Sequence, residues 1–337
     1  MPVAHPVGRA VLAYGNAFAR TARNERKSLM LFNFLSLAAG LALLTLGADF
    51  LVRGAISFAN RLGMPPLLIG LTVVGFGTSM PELLVSLQAA LAGSPAIAVG
   101  NVVGSNIANI LLILGVSAAI SPIAARIPNL RRDMTMMLVA ALIMLGLGYR
   151  GVVGFWPGLA IFALLAAYLA WVTRTDRGSI TAEEDELVVK LEAWKEALYI
   201  LGGLAGLIFG ASLLIDAATA IAREFGISEA VIGLTIIAVG TSLPELATSV
   251  VAAFRRHAEI ALGNVVGSNI FNILGILGLT AIVVPVPVEA SMATFDIPFM
   301  VVTTLALIAL ILVAGRISRI AGLAMLGVYS GYVVWLL

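Results

Sequence analysis

Cysteine is absent from the 337-residue chain, which removes disulfides, thiolate metal sites and cysteine nucleophiles together. That absence does not fix the redox compartment. Histidine is nearly missing: His5 lies in the N-terminal stretch and His257 in a connection between apolar runs, so neither is placed to work inside a membrane. Charge is scarce as well. Charged residues make up 11% of the chain, against about 25% in soluble domains. The formal charge is only +2 and the pI of 9.1 traces to short basic loops, so no nucleic-acid partner is expected. What fills the sequence is apolar: 61% of residues are hydrophobic and the mean hydropathy is +1.07. The apolar runs repeatedly reach the ~20 residues that cross a bilayer. This is the composition of an all-α, polytopic membrane protein.

The apolar pattern predicts about ten spans, near 31–59, 67–92, 97–120, 133–149, 152–173, 197–222, 230–254, 260–284, 295–314 and 317–337. They group as a basic N-terminal arm (1–30), a first five-helix unit (31–173), a loop (174–196) and a second five-helix unit (197–337). In the loop, Thr181 and Glu184 read as a capping box that starts a short amphipathic helix. The acidic run Glu183–Glu186 lacks the alternating ligands and turn glycine of an EF-hand and reads as a solvated face.

Lysine and arginine placement orients the chain. Arg61, Arg126, Arg131, Arg132, Lys190, Lys195, Arg255, Arg256, Arg316 and Arg319 fall in alternate connections, which puts the 174–196 loop in the cytoplasm and both termini outside. The basic arm then lies on the unexpected side. Two readings stay open: synthesis that begins at Met30, or an arm that meets lipid headgroups.

The stretch GFGTSMPELLVSL, Gly75 to Leu87, sets a proline and a glutamate inside an apolar run, and AVGTSLPELATSV repeats this at Ala238–Val250. A shift of 163 residues lays the chain on itself: Glu82 meets Glu245, Pro81 meets Pro244 and Asn109 meets Asn272. From Gly70 to Gly115 about 28 of 46 positions are identical, and GNVVGSNIANI returns as GNVVGSNIFNI. The copies begin five spans apart. Five is odd, so equivalent helices must cross in opposite directions, the inverted repeat of secondary transporters. A symmetric scaffold would retain small and apolar residues; it has no use for Glu, Pro, Thr, Ser and Asn kept together twice.

Pro81 cannot donate to the carbonyl of Gly77, nor Pro244 to that of Gly240, so each proline frees a backbone oxygen. Thr78 and Glu82 share one helix face, with Ser79 adjacent. Asn101, Ser105 and Asn109 share another, as do Asn264, Ser268 and Asn272. Asn106 and Asn269 are expected to hydrogen-bond to neighbouring helices, and the glycines of the second motif to serve close packing. The polar groups are all oxygen donors, a set that suits hard cations such as Ca²⁺ or Na⁺ and suits slowly dehydrating Mg²⁺ less well. Two carboxylates would repel one another unless a cation or protons intervened.

These duplicated motifs, GTS-[ML]-PE with GN-x-x-GSN-I, resemble the α-repeats of the sodium/calcium exchanger family, prokaryotic type, within the cation/calcium antiporter superfamily. The resemblance implies two inverted five-helix repeats with the first helix of each sliding against an ion-holding core. It places the ion ligands on Thr78, Ser79, Glu82, Ser105 and Asn109, and on Thr241, Ser242, Glu245, Ser268 and Asn272, with the carbonyls of Gly75 and Ala238. It implies an antiporter of the cell (inner) membrane that exchanges Ca²⁺ for Na⁺, with the bilayer and the two ions as its only expected partners and no cofactor. Asn272 stands where many relatives carry aspartate, which alters the expected stoichiometry and argues against potassium co-transport. The GN-x-x-E glutamate of proton/calcium exchangers is missing, which favours Na⁺ as the driving ion. A Ca²⁺/H⁺ antiporter, a passive cation channel and an intramembrane hydrolase using Ser79 or Ser242 are the competing readings. Arg53 and Asp216, equivalent in the repeat and opposite in charge, are either a candidate gating pair or two side chains that each snorkel to an interface.

Overall fold

Hydrocarbon offers no partner to a backbone amide, so a chain this apolar must satisfy its peptide groups within helices. A computed structural model describes residues 6–64, 66–93, 95–124, 129–176, 191–226 and 238–336. Its helices are α1 (Pro6–Leu62), α2 (Gly70–Thr78), α3 (Met80–Leu91), α4 (Ile97–Ile120), α5 (Leu130–Arg150) and α6 (Phe155–Thr175) in the first half. The second half has α7 (Ala193–Glu224), α8 (Leu243–Phe254), α9 (Ala258–Val283), α10 (Met292–Ala314) and α11 (Arg319–Leu336). Seven of these are long and apolar enough to cross a membrane, and α2 with α3, bent by 45°, makes an eighth. Helices α5 and α8 occupy the places of the fourth and seventh expected spans.

Two expected boundaries differ. The basic residues before Met30 continue the first helix, since α1 runs unbroken for 57 residues. The loop is shorter at its second end because α7 begins at Ala193. Thr181, Glu184 and the acidic run lie outside the described residues.

Four two-residue strands, β1 (Ile123–Ala124), β2 (Val152–Val153), β3 (Val286–Pro287) and β4 (Arg316–Ile317), fix the topology. β1 pairs with β4 and β2 with β3, both antiparallel. β1 and β3 are repeat equivalents, Ile123 matching Val286, yet each pairs with the other repeat. Helix α5 runs from β1 to β2, and its 21 residues span about 31 Å. The two small sheets therefore cap opposite ends of the bundle, and equivalent segments of the halves sit at opposite faces. The repeats are inverted.

Helices α1 and α7 open the two halves and cross through glycines that the repeat also exchanges. A Cβ on Gly47 would lie 2.8 Å from the carbonyl of Gly203, and one on Gly40 2.9 Å from that of Gly210. Small-residue contact is how helices associate where no hydrophobic force separates protein from lipid. The pair is further tied by Ser57, which donates to Glu196 Oε1 at 2.8 Å, and by Arg61, 2.6 Å from Glu196 Oε2. The Arg53–Asp216 pair does not form. Arg53 binds Asp49 at 2.8 Å, one turn back on its own helix, where an i,i+4 partner is always in reach. Asp49 also receives Arg255 from the end of α8, while Asp216 is exposed.

At the β1 end, Arg132 bridges Asp133 and Asp176 at 2.7 Å each, and Tyr168 donates to Asp133 at 2.8 Å. Both acids are buried. Arg132→Met would strand them, and breaking a buried pair costs about 3–5 kcal/mol. A large fall in the detergent melting temperature is expected, with the choice of transported ion unaltered.

Candidate ion-binding site

Proline removes one amide from the helical ladder and pushes against the preceding turn. The chain answers by breaking at Ser79 (φ −82°, ψ 5°), so that α3 restarts with Pro81 and Glu82 in its first turn. The second copy does the same at Ser242 (φ −87°, ψ 8°), with Pro244 and Glu245 opening α8. Each glutamate thus sits at a helix N-terminus, where the backbone dipole favours negative charge.

Asparagines from the next helix hold each break in place. Asn101 donates to the Glu82 carbonyl at 3.1 Å and to Ser86 Oγ at 2.9 Å. Asn264 donates to the Glu245 carbonyl at 3.3 Å and to Ser249 Oγ at 3.0 Å. Sequence reading missed Ser86 and Ser249, although the repeat keeps serine at both positions.

The halves then interlock. Ser79 donates to Glu245 Oε1 at 3.0 Å, and Ser242 donates to Glu82 Oε1 at 3.2 Å. Ser242 also lies 3.4 Å from Ser105 Oγ, and the hydroxyls of Thr78 and Ser268 lie beside the Glu245 carboxylate. Thr78 donates to Asn264 Oδ1 at 3.2 Å. Both glutamates are 1% exposed. In each, Oε2 has no partner among the described residues, and the same holds for Asn109 Oδ1 and both amide atoms of Asn272. Leaving a bare carboxylate oxygen dry is very costly, so these atoms point to cations as their natural partners.

Of the expected ligands, Thr78, Ser79, Glu82, Ser105, Asn109, Ser242, Glu245, Ser268 and Asn272 are buried around this interlock, and Thr241 is buried as well. The Gly75 carbonyl accepts from the Ser79 amide at 3.1 Å and from Ser268 Oγ at 3.5 Å, so protein donors already share it. Ala238 opens a short helix (Ala238–Thr241) whose surroundings at that residue lie outside the described residues. Asn109 begins a wide π-helical turn (Asn109–Ile113) and Asn272 lies in another (Phe271–Leu277). Such turns recur at functional sites because they reset the facing of the residues that follow. Asn269 reaches across helices as expected, whereas Asn106 turns back and donates to Val102 O on its own helix at 2.7 Å. No cluster of three or more acidic or imidazole side chains occurs among the described residues. The site's formal charge is that of its two glutamates.

The family model described as sodium/calcium exchanger protein matches residues 32–174 and 195–337. The chain belongs to the sodium/calcium exchanger family. The two matched segments are offset by the same 163 residues as the internal repeat. Among relatives, the putative antiporter CaxA of Alkalimonas amylolytica is 39% identical over 316 residues, covering 90% of this chain and 98% of that protein. The inner membrane protein YrbG of Escherichia coli is 35% identical, covering 91% and 96%. The sodium-calcium exchanger NCX_Mj, soaked with Na⁺, superposes with a TM-score of 0.80 at 33% identity over 90% of this chain and 99% of its own. Membership makes this exchanger-family chain a multi-pass membrane transporter.

Proposed function

We propose that the protein exchanges Ca²⁺ for Na⁺ by alternating access, with both ions held in turn at the Glu82–Glu245 interlock. One observation carries the reading: each buried carboxylate takes one hydroxyl from the opposite repeat and leaves its second oxygen without a partner among the described residues. Two negative charges are neutralised by one Ca²⁺ or by two Na⁺. An unloaded site would have to reorient with its charges uncovered in low dielectric, at high electrostatic cost. Coupling follows from that cost, because only loaded forms turn over. Serine and threonine hydroxyls, asparagine oxygens and carboxylates supply the six to eight oxygens that Ca²⁺ takes.

The moving part in this reading is the α1–α7 pair, whose glycine-lined crossing keeps it together while it shifts against the rest. The sodium and calcium named for NCX_Mj support the choice of ions, and the name of YrbG supports an inner-membrane location. Termini outside and the 174–196 loop in the cytoplasm complete the assignment, with no cofactor and no enzymatic step.

Proteoliposomes test it. Radiocalcium uptake driven by an outward Na⁺ gradient is the expected result, with little uptake under a pH gradient of equal size. Uptake driven by the pH gradient alone would make the protein a Ca²⁺/H⁺ antiporter. Flux without any counter-ion would make it a passive pore.

A further inference from the structure

An asparagine serves a cation only when its amide is turned the right way. Oδ1 attracts the ion, and the NH₂ arm, a double donor, repels it. Something must therefore hold the nitrogen arm of each ligand asparagine away from the site.

For Asn109 the holder is visible. Its Nδ2 donates to Asn269 Oδ1 at 3.0 Å, which leaves its Oδ1 as the arm for the ion. Asn269 is fixed in turn, because its own Nδ2 lies 3.6 Å from Met137 Sδ. A thioether can only accept a hydrogen bond. The sulfur therefore selects the nitrogen of Asn269, the oxygen of Asn269 selects the nitrogen of Asn109, and the oxygen of Asn109 is left free. All three residues are buried.

The same three residues exist again. A shift of 163 carries Met137 onto Met300, Asn269 back onto Asn106, and Asn109 onto Asn272. The helices that bear them touch in the same way: α4 meets α10 and the turn that holds Asn272. In this second set the hydrogen bonds are not made. Asn106 donates to Val102 O instead, and its Oδ1 and both amide atoms of Asn272 have no partner among the described residues, though all are buried.

We propose that Asn269 and Asn106 are positioning residues, each forming with a methionine a relay that turns a ligand asparagine's oxygen towards the transported ion. The first relay is closed in this conformation and the second is open. This rests on the Ca²⁺-binding reading of the site. It assigns a purpose to two asparagines and two methionines that lie outside the expected ligand set.

The test is Ca²⁺ equilibrium binding to purified protein in detergent, in a double-mutant cycle. Asn269→Ala is expected to weaken Ca²⁺ by about 10-fold or more, the usual cost of losing a partner that orients a metal ligand. In the Asn109→Asp background the same change should matter little. A carboxylate has two oxygens and no nitrogen arm to be held away, so its orientation needs no relay. A role in packing alone would give equal losses in both backgrounds, and that result overturns the proposal. So does an Asn269→Ala protein that binds like the parent, or an Asn109→Asp protein that binds no Ca²⁺. Should Asn269→Ala fail to fold, Met137→Leu removes the sulfur acceptor at nearly constant volume and carries the same comparison. Parent protein without Ca²⁺ affinity would remove both this inference and the reading beneath it. Parent protein that binds, with a flat cycle, removes the relay alone.

Discussion

Glu82→Gln and Glu245→Gln are each expected to lower Ca²⁺ affinity by roughly 150- to 5,000-fold, the equivalent of about 3–5 kcal/mol for removing one member of a buried charge pair. The same variants should be no less stable than the parent when no ion is bound. Glutamine keeps the shape of the side chain and an oxygen that accepts from Ser242 or Ser79. It also removes one of two mutually repelling charges in a site closed to water. Melting curves with and without Ca²⁺ check this. The parent should rise with Ca²⁺, as any protein does whose native state alone binds a ligand, and the variants should start as high or higher and fail to respond. A variant that melts earlier without ion yet keeps its Ca²⁺ response would show that the glutamates hold the fold together and do not bind the ion.

Much of this was legible because a duplication compares a sequence with itself. Glu82 and Glu245, each behind a proline, stand out in apolar surroundings, whereas the serine that each takes from the opposite repeat is visible only in the structure. The inversion itself needs only the odd number of spans between copies. What the sequence could not supply was the third dimension within a polar face. Asn101 and Asn109 lie two turns apart and look alike in the sequence, yet Asn101 holds the helix break while Asn109 donates to Asn269 and leaves its Oδ1 without a partner among the described residues. Ser86 and Ser249 resembled ordinary small residues of membrane helices. Arg53 and Asp216 looked paired by symmetry, because nothing in the repeat registers Asp49, which sits one turn from Arg53 and has serine as its counterpart. Local geometry outcompeted the symmetric partner.

Gly267→Ala should cost the protein its exchange activity although alanine is the better helix former. A Cβ there would collide with the backbone oxygen of Leu71 and lie 2.7 Å from its Cα. Neither is the end of a flexible side chain, so the helices themselves must part. The same two helices are as tight about two turns away, where a Cβ on Gly70 would lie 2.8 Å from the Ile260 carbonyl. Overpacking of this kind costs about 1–3 kcal/mol or more. The functional loss should exceed the loss of stability, because Ser268 adjoins Gly267 and Thr78 reaches Asn264 across the same interface. Separating α2 from α9 by even about 1 Å displaces oxygens from both repeats together, and misplacement on that scale costs on the order of 100-fold. Gly146→Ala is the control. It is exposed on α5 with nothing within 4 Å of the new Cβ among the described residues, and it should stabilise the helix by about 0.5–1 kcal/mol with exchange unchanged. Radiocalcium exchange at parental rate in Gly267→Ala would mean that α2 and α9 do not approach this closely while the protein works. The interlocked serines and glutamates would then have to be held by something other than helix contact.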